Sequence, residues 1–437
     1  MTMNREILRI ALPAIVTNVT VPLLGLIDTA IAGHLGQTEC IGAIAVGSMM
    51  FGLVYQNFVF FRMGTSGLTA QAYGGRDMTE SALTLMRSLM LAVLIGVLLI
   101  ALQYPLQLIV LLAVGASGEV ATLAQSYFYI VIWGAPAILM TMSIKGWFLG
   151  MQDSRTPMVL SIFVNLANIA ASLVAVFVLH KGFVGIAFGT IVAEYAGLAL
   201  ALLLVFGKRH QAHAALRAVK LADVLRIGSL RRFFTVNRDI FLRSVCLMAI
   251  TLTFTSLGAR EGDVILAANA LMIQLFLLIS YFLDGFAFAG EALVGRFLGA
   301  GEMRSMRRCI NWLFVWGAAI MVVCAVVYGV FAHGIFGLLT DDSAVVVTAM
   351  DYRLWCIALP VMGMAGFVWD GVFIGMTATR GMLISIVISA TVFFAICFLP
   401  FGIMTNHRLW AAFISYLAVR GLAHTVYYQI VLRPRSG

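Results

Sequence analysis

"KGWFLGMQDSR" (residues 145–155) and "DGVFIGMTATR" (370–380) decide how this chain is organised. Set against each other at a shift of 225 residues, they agree at Gly146 and Gly371, Phe148 and Phe373, Gly150 and Gly375, Met151 and Met376, and Arg155 and Arg380. "GLTAQAYGGRD" (67–77) and "ALVGRFLGAGE" (292–302) obey the same shift. Both pairs fall at matching places in two successive sets of apolar segments, so the second half of the chain repeats the first.

Of the 437 residues, 62% are hydrophobic and 11% charged, with a mean hydropathy of +1.02. A soluble domain carries about 25% charged residues. Stretches long enough to cross a bilayer fall near 7–33, 40–66, 83–112, 121–149, 156–179, 183–206, 236–258, 264–292, 309–333, 344–374, 381–402 and 406–431. The sequence therefore predicts an all-α polytopic membrane protein with twelve helices. Arg5 and Arg9 precede a first span too long for a signal-peptide core, which should stay as an anchor. With the N-terminus in the cytoplasm, the outer turns hold only Lys181, Arg260 and Arg408. The inner turns and tails hold the other loop cations, among them Arg76, Arg155, Lys208, Arg209, Arg296, Arg380, Arg433 and Arg435. Six is even, so the two halves insert in the same orientation and are expected as six-helix bundles related by a pseudo-twofold along the membrane normal. The expected parts are an N-terminal lobe (1–206), a basic cytoplasmic linker (207–235) and a C-terminal lobe (236–437). Residues 207–232 carry seven basic residues and one acid, a balance that favours the anionic cytoplasmic leaflet.

The net charge of +9 is a topology signal, not a nucleic-acid footprint, because the cations sit in short turns. The six cysteines, Cys40, Cys246, Cys309, Cys324, Cys356 and Cys397, lack CxxC spacing and read as small packing residues. The seven histidines stand mostly at loops and helix ends, His210 and His213 in the linker; no metal site is expected. No Walker motif is present. These absences argue against an enzyme and against direct use of ATP. The turn "YGGRDMTE" lacks the pattern of a major-facilitator transporter.

Charges inside the spans carry the functional reading, because a lone ionisable residue at membrane depth costs about 2.5 to 3.5 kcal/mol on insertion scales. Asp28 lies in the first span, at the edge of a small and polar face formed by Asn18, Pro22, Gly25, Thr29, Ala32 and Gly36. Pro22 and Gly25 mark a place where that helix can bend. Glu194, in the sixth span, is a candidate partner across the bundle. Asp239 and Arg243 stand four residues apart, a spacing that suits a helix ion pair. Asp284 and Glu291 share a face of the eighth span and either line a cargo cavity or pair with arginines. Lys145 and Asp370 occupy equivalent positions in the repeat, and opposite charges there could form an inner latch.

"TVPLLGLIDTAIAGHLG", "FRMGTSGLTAQAYGG", "VNRDIFLRS" and "YFLDGFAFAGEALVG" together resemble the multidrug and toxic compound extrusion family, in its DNA-damage-inducible protein F branch. The resemblance spans essentially the whole chain. It implies a pair of six-helix bundles that exports amphipathic, often cationic compounds in exchange for H+ or Na+. It also implies a coupling-ion site at Asp28, with fifth-helix asparagines that map to Asn165 and Asn168. The family often has an Asp one turn after the second Asn, where this chain has Ser172.

The expectation is a secondary antiporter of the bacterial inner membrane that exports organic cations or amphipathic toxic compounds. Coupling is expected to H+ through Asp28, Asn165, Asn168 and Glu194. Asp284, Glu291, Asp370 and Asp239 are the candidates for the substrate cavity. Na+ coupling within the same family and a lipid flippase are the alternatives. No cofactor is expected beyond the coupling ion; the partners are small molecules and membrane lipids, not nucleic acid, and the protein is expected to be a monomer.

Overall fold

The computed structural model describes residues 2–35, 38–114, 118–207, 213–399 and 405–432. Among them twelve helices are long and apolar enough to span a membrane. They are α1 (Met3–Gly33), α2 (Glu39–Gly74), α3 (Met78–Ala101), α4 (Gly118–Gly150), α5 (Arg155–Val178), α6 (Phe183–Phe206), α7 (Leu230–Ala259), α8 (Asp263–Gly299), α9 (Met303–Leu339), α10 (Arg353–Gly375), α11 (Thr379–Phe398) and α12 (Asn406–Leu432). Lys208, Arg209, His210, Arg433 and Arg435, used above as topology signals, lie outside the described residues. So does Gly36.

Two predicted spans are each two helices. The third ends at Ala101 and a separate helix covers Gln103–Val114. Pro105 explains the break, since its ring excludes the carbonyl four residues earlier and it has no N–H to donate. The tenth predicted span is cut at Tyr352 into Ser343–Asp351 and α10. Asp342 starts the shorter helix by accepting hydrogen bonds from the N–H groups of Ala344 (2.9 Å) and Val345 (3.4 Å).

The repeat is built into close helix crossings. In the N-terminal half α4 crosses α2 so tightly that a Cβ on Gly146 would stand 2.2 Å from the carbonyl oxygen of Arg62. One on Gly150 would stand 2.7 Å from that of Ser66. In the C-terminal half α10 crosses α8 in the same way, with 2.1 Å from Gly371 to the Ala287 oxygen and 2.8 Å from Gly375 to the Glu291 oxygen. Ala287 and Glu291 are Arg62 and Ser66 shifted by 225, so the glycines and the backbone they rest on recur together. This is a small-xxx-small crossing, in which van der Waals contact replaces the hydrophobic drive that lipid does not supply.

The turns that follow the crossings recur too. Gln152 and Thr377 have φ of 67° and 52°, and Arg76 and Gly301 have 58° and 74°. Asp153 N–H donates to Phe148 O at 2.9 Å and Ala378 N–H to Phe373 O at 2.8 Å, the six-to-one bond that closes a helix with a left-handed residue.

Packing divides the chain into an N-terminal unit, Val16–Asn237, and a C-terminal unit, Met1–Ile15 with Arg238–Gly437. The sequence reading begins the C-terminal lobe at residue 236; packing begins that segment at Arg238, inside α7, and adds Met1–Ile15, the start of α1, to the same unit. The start of α1 packs on α8: a Cβ on Gly285 would meet Ile15 at 2.3 Å and the Ala11 oxygen at 3.0 Å, and Glu6 pairs with Arg296. The start of α7 belongs to the N-terminal unit in the same manner. There Asn237 fills the space over Gly64, and Arg232 Nη2 donates to Gln71 at 2.9 Å. Each half lends the beginning of its first helix to the other unit.

The described part of the linker is docked. Its short helices His213–Ala218 and Leu221–Val224 bury Leu216 and Val224. Arg87 of α3 donates from Nε to Val224 O (3.2 Å) and from Nη2 to Asp223 O (3.1 Å), and pairs with Glu80 at 2.8 Å.

A methyl at Gly371 has no room, so Gly371→Ala should destabilise by about 1–3 kcal/mol, the usual range for overpacking. Gly337→Ala, where nothing lies within 4 Å, should be neutral or slightly stabilising. Thermal unfolding of the purified protein in detergent measures both; equal melting temperatures for the two variants would contradict the crossing geometry.

Candidate functional site

In the N-terminal unit α1 passes Pro22 and Gly25 as one unbroken helix. Side chains engage its carbonyls on either side of the proline: Thr20 Oγ1 donates to Thr17 O (2.7 Å), Asn165 Nδ2 to Thr20 O (3.0 Å) and Thr29 Oγ1 to Gly25 O (2.8 Å). Asp28 is 6% exposed, and its Oδ1 has no hydrogen-bond partner. No cation pairs with it among the described residues. Burying a polar group without a partner is costly, and a charged one far more so.

Around Asp28 the structure gathers residues that the sequence reading did not single out. Tyr127 of α4 lies close enough to interact with it electrostatically and sits beside Thr190 of α6. Asn168 Nδ2 donates to Thr190 Oγ1 at 3.1 Å, and Thr190 Oγ1 donates to Ile186 O at 3.1 Å. The Oδ1 of Asn168 is buried and, like that of Asp28, without a partner. Asn165 and Asn168 thus have different jobs: the first grips the α1 backbone, the second faces the polar pocket.

Ser172 is fully buried against Gly189, where a Cβ would stand 2.2 Å from its Oγ.

Glu194 is half-buried and interacts with Lys145 of α4 and Tyr55 of α2; the acid and the lysine are beyond direct ion-pair distance. Tyr55 interacts with Tyr127 as well as with Glu194.

The C-terminal unit pairs its acids differently from the expectation. Arg243 does not bond Asp239. Instead Arg243 Nη2 and Arg420 Nη2 both donate to Asp370 Oδ2, and all three side chains are buried. Asp239 takes the adjacent Arg238 (2.9 Å) and accepts from Thr379 Oγ1 at 3.3 Å. The Asp370 partner lies 127 positions away in sequence, and the tertiary contact overrides the local i, i+4 spacing.

His424 Nε2 stands 3.9 Å from Asp370 Oδ1, and its ring packs edge-on to Phe373 at 4.9 Å between centroids. Asp284 is half-buried and acts electrostatically on Arg420, while Glu291 is almost wholly buried at 1% exposure. Lys145 and Asp370, the expected latch, each have partners inside their own unit. Arg420 and His424 were legible as an i, i+4 pair of polar residues in an otherwise apolar last span, "SYLAVRGLAHTVYY" (415–428).

All six cysteines are free. No group of three or more metal-ligating side chains occurs among the described residues.

The MatE family profile matches residues 13–174 and 240–399. The chain is 37% identical over 429 residues to DNA damage-inducible protein F of Escherichia coli K12, covering 96% of this chain and 91% of that protein. It is 26% identical over 434 residues to Protein DETOXIFICATION 44, chloroplastic, of Arabidopsis thaliana, covering 96% and 81%. A solved structure described as the outward-facing conformation of a multidrug resistance MATE family transporter of the MOP superfamily superposes with a TM-score of 0.87 at 18% identity, over 100% of this chain and 98% of that one. With twelve apolar spans, a repeat that unites both halves and a profile match across each of them, this chain belongs to the MatE family of membrane transporters.

Proposed function

We propose that the protein is an H+-coupled antiporter of the bacterial inner membrane, with both termini in the cytoplasm, that exports organic cations or amphipathic toxic compounds by alternating access. The observation that carries this reading is Asp28: a buried carboxyl with an idle oxygen and no cation beside it among the described residues. Such a group is neutral at little cost when enclosed and ionises when water reaches it, so its proton content follows conformation. Coupling then requires that cargo or conformation favour one protonation state, since equal affinity for both shifts nothing. Glu194, with Lys145 nearby, is a second acid in the same unit. Na+ is the alternative, supported by the idle oxygens of both Asp28 and Asn168.

The relatives named for multidrug resistance and export, including a probable multidrug resistance protein NorM of Thermotoga maritima, support the cargo class.

Asp28→Asn keeps the volume and removes the charge. It should leave expression and folding intact and abolish export of ethidium driven by a pH gradient in proteoliposomes. Full activity of this variant would make Asp28 structural. Export that persists under a Na+ gradient in wild type, with no response to pH, would select the alternative ion.

The proposed topology puts the exposed residue Ala214 in the cytoplasm. A cysteine placed there should resist a membrane-impermeant thiol reagent in intact cells and react after permeabilisation; labelling in intact cells would overturn the orientation.

The in-unit partners of Lys145 and Asp370 favour separate roles over a latch. Lys145→Asp and Asp370→Lys should each impair transport, and the double exchange should give no rescue, because a lysine at 370 would meet Arg243 and Arg420. Partial rescue by the double exchange would restore the latch.

A further inference from the structure

In the C-terminal unit one carboxylate oxygen serves two cations. Arg243 and Arg420 converge on Oδ2 of Asp370, leaving Oδ1 buried without a hydrogen-bond partner. Arg420 Nε and His424 Nε2 are likewise buried and without hydrogen-bond partners. Arginine–carboxylate pairs frequently engage fork to fork, with two parallel N–H donors on two oxygens. Here the fork of Arg420 is only half used. Its remaining environment is Tyr416, whose hydroxyl accepts from Nη1 at 3.3 Å, and the face of Phe367 at 5.6 Å. The charges in contact are two positive and one negative, with Asp284 acting on Arg420 from farther off.

At 1.5 Å per residue, Arg420 is about 20 Å along α12 from either end, while Asp370 stands about 7.5 Å from the Gly375 end of α10.

We propose that the Arg243–Asp370–Arg420–His424 cluster binds the carboxylate of an anionic amphipathic cargo, with Asp370 acting as the internal carboxylate that holds the guanidiniums when cargo is absent. The cargo carboxylate takes the idle Nε–H of Arg420 and one of its Nη–H groups, while Asp370 stays with Arg243. A planar guanidinium suits this exchange because it recognises carboxylates through two fixed donors. The polarity is opposite to that expected from the acids alone, which read as a cation site. The inference rests on the reading of the chain as an exporter and names one class of compound that it carries.

Equilibrium binding to the full chain in phosphatidylcholine nanodiscs tests this, with 1-pyrenebutyrate and its uncharged amide as probes that share one apolar frame. Wild type should prefer the carboxylate by about tenfold or more. Asp370→Asn, nearly isosteric, frees both guanidiniums and should tighten carboxylate binding severalfold. The triple variant Arg243→Gln/Asp370→Asn/Arg420→Gln removes the cluster's charges together, which avoids stranding a lone buried ion, and should bind both probes equally. Equal binding of the two probes by wild type would overturn the proposal. So would weaker carboxylate binding by Asp370→Asn, or a preference that survives in the triple variant. No ion gradient is present, so the outcome is independent of whether Asp28 couples transport to H+.

Discussion

Two helix crossings, α4 over α2 and α10 over α8, are what the rest of this fold is hung on. Each depends on a pair of glycines four residues apart whose missing side chains let one helix rest on the carbonyl oxygens of another, 2.1 to 2.8 Å from where a Cβ would be. In lipid there is no hydrophobic gain from bringing apolar helices together, so close van der Waals contact has to hold them. The crossings also set the register of the polar groups: Lys145 precedes Gly146 and Asp370 precedes Gly371, so each unit carries a charge next to its tightest packing.

That architecture was readable because its cause is local. Glycine spacing and the 225-residue shift are written along the chain, whereas the left-handed turns at Arg76, Gln152 and Thr377 are not, since none of these residues is a glycine. The span count was readable for the same reason as the repeat, apart from the breaks at Leu102 and Tyr352. The attachment of Met1–Ile15 to the C-terminal unit was not legible, because it arises from packing on residues as far as 290 positions away. Nothing in residues 3–15 alone announces that Glu6 will meet Arg296. The linker shows the same limit: its basic composition suggested a membrane tether, yet Arg87, a single arginine within an apolar span, docks it by its backbone carbonyls.

The polar interior divides along the same line. Asp28 stood out as the single charge between Ile10 and Leu35, and the structure leaves it without a cation among the described residues. Tyr127, Tyr55 and Thr190 were invisible as site residues because tyrosine and threonine are common in spans and only proximity gives them meaning. In the C-terminal unit, acids that looked available to a cationic cargo are already engaged. Asp239 holds Arg238 and Thr379, and Asp370 holds two arginines from different helices. One unit therefore keeps an acid with no cation beside it among the described residues, and the other a carboxylate shared by two arginines.

The central claim is that the proton on Asp28 and the bound cargo compete for one conformational equilibrium. Proton release on cargo binding measures it most directly: ethidium is added to purified protein in weakly buffered detergent solution, and the pH change is followed with an indicator dye. The account predicts release of about one proton per ethidium bound by wild type, and none by Asp28→Asn at matched occupancy. Equal release by the two proteins, or binding without release by wild type, would contradict it.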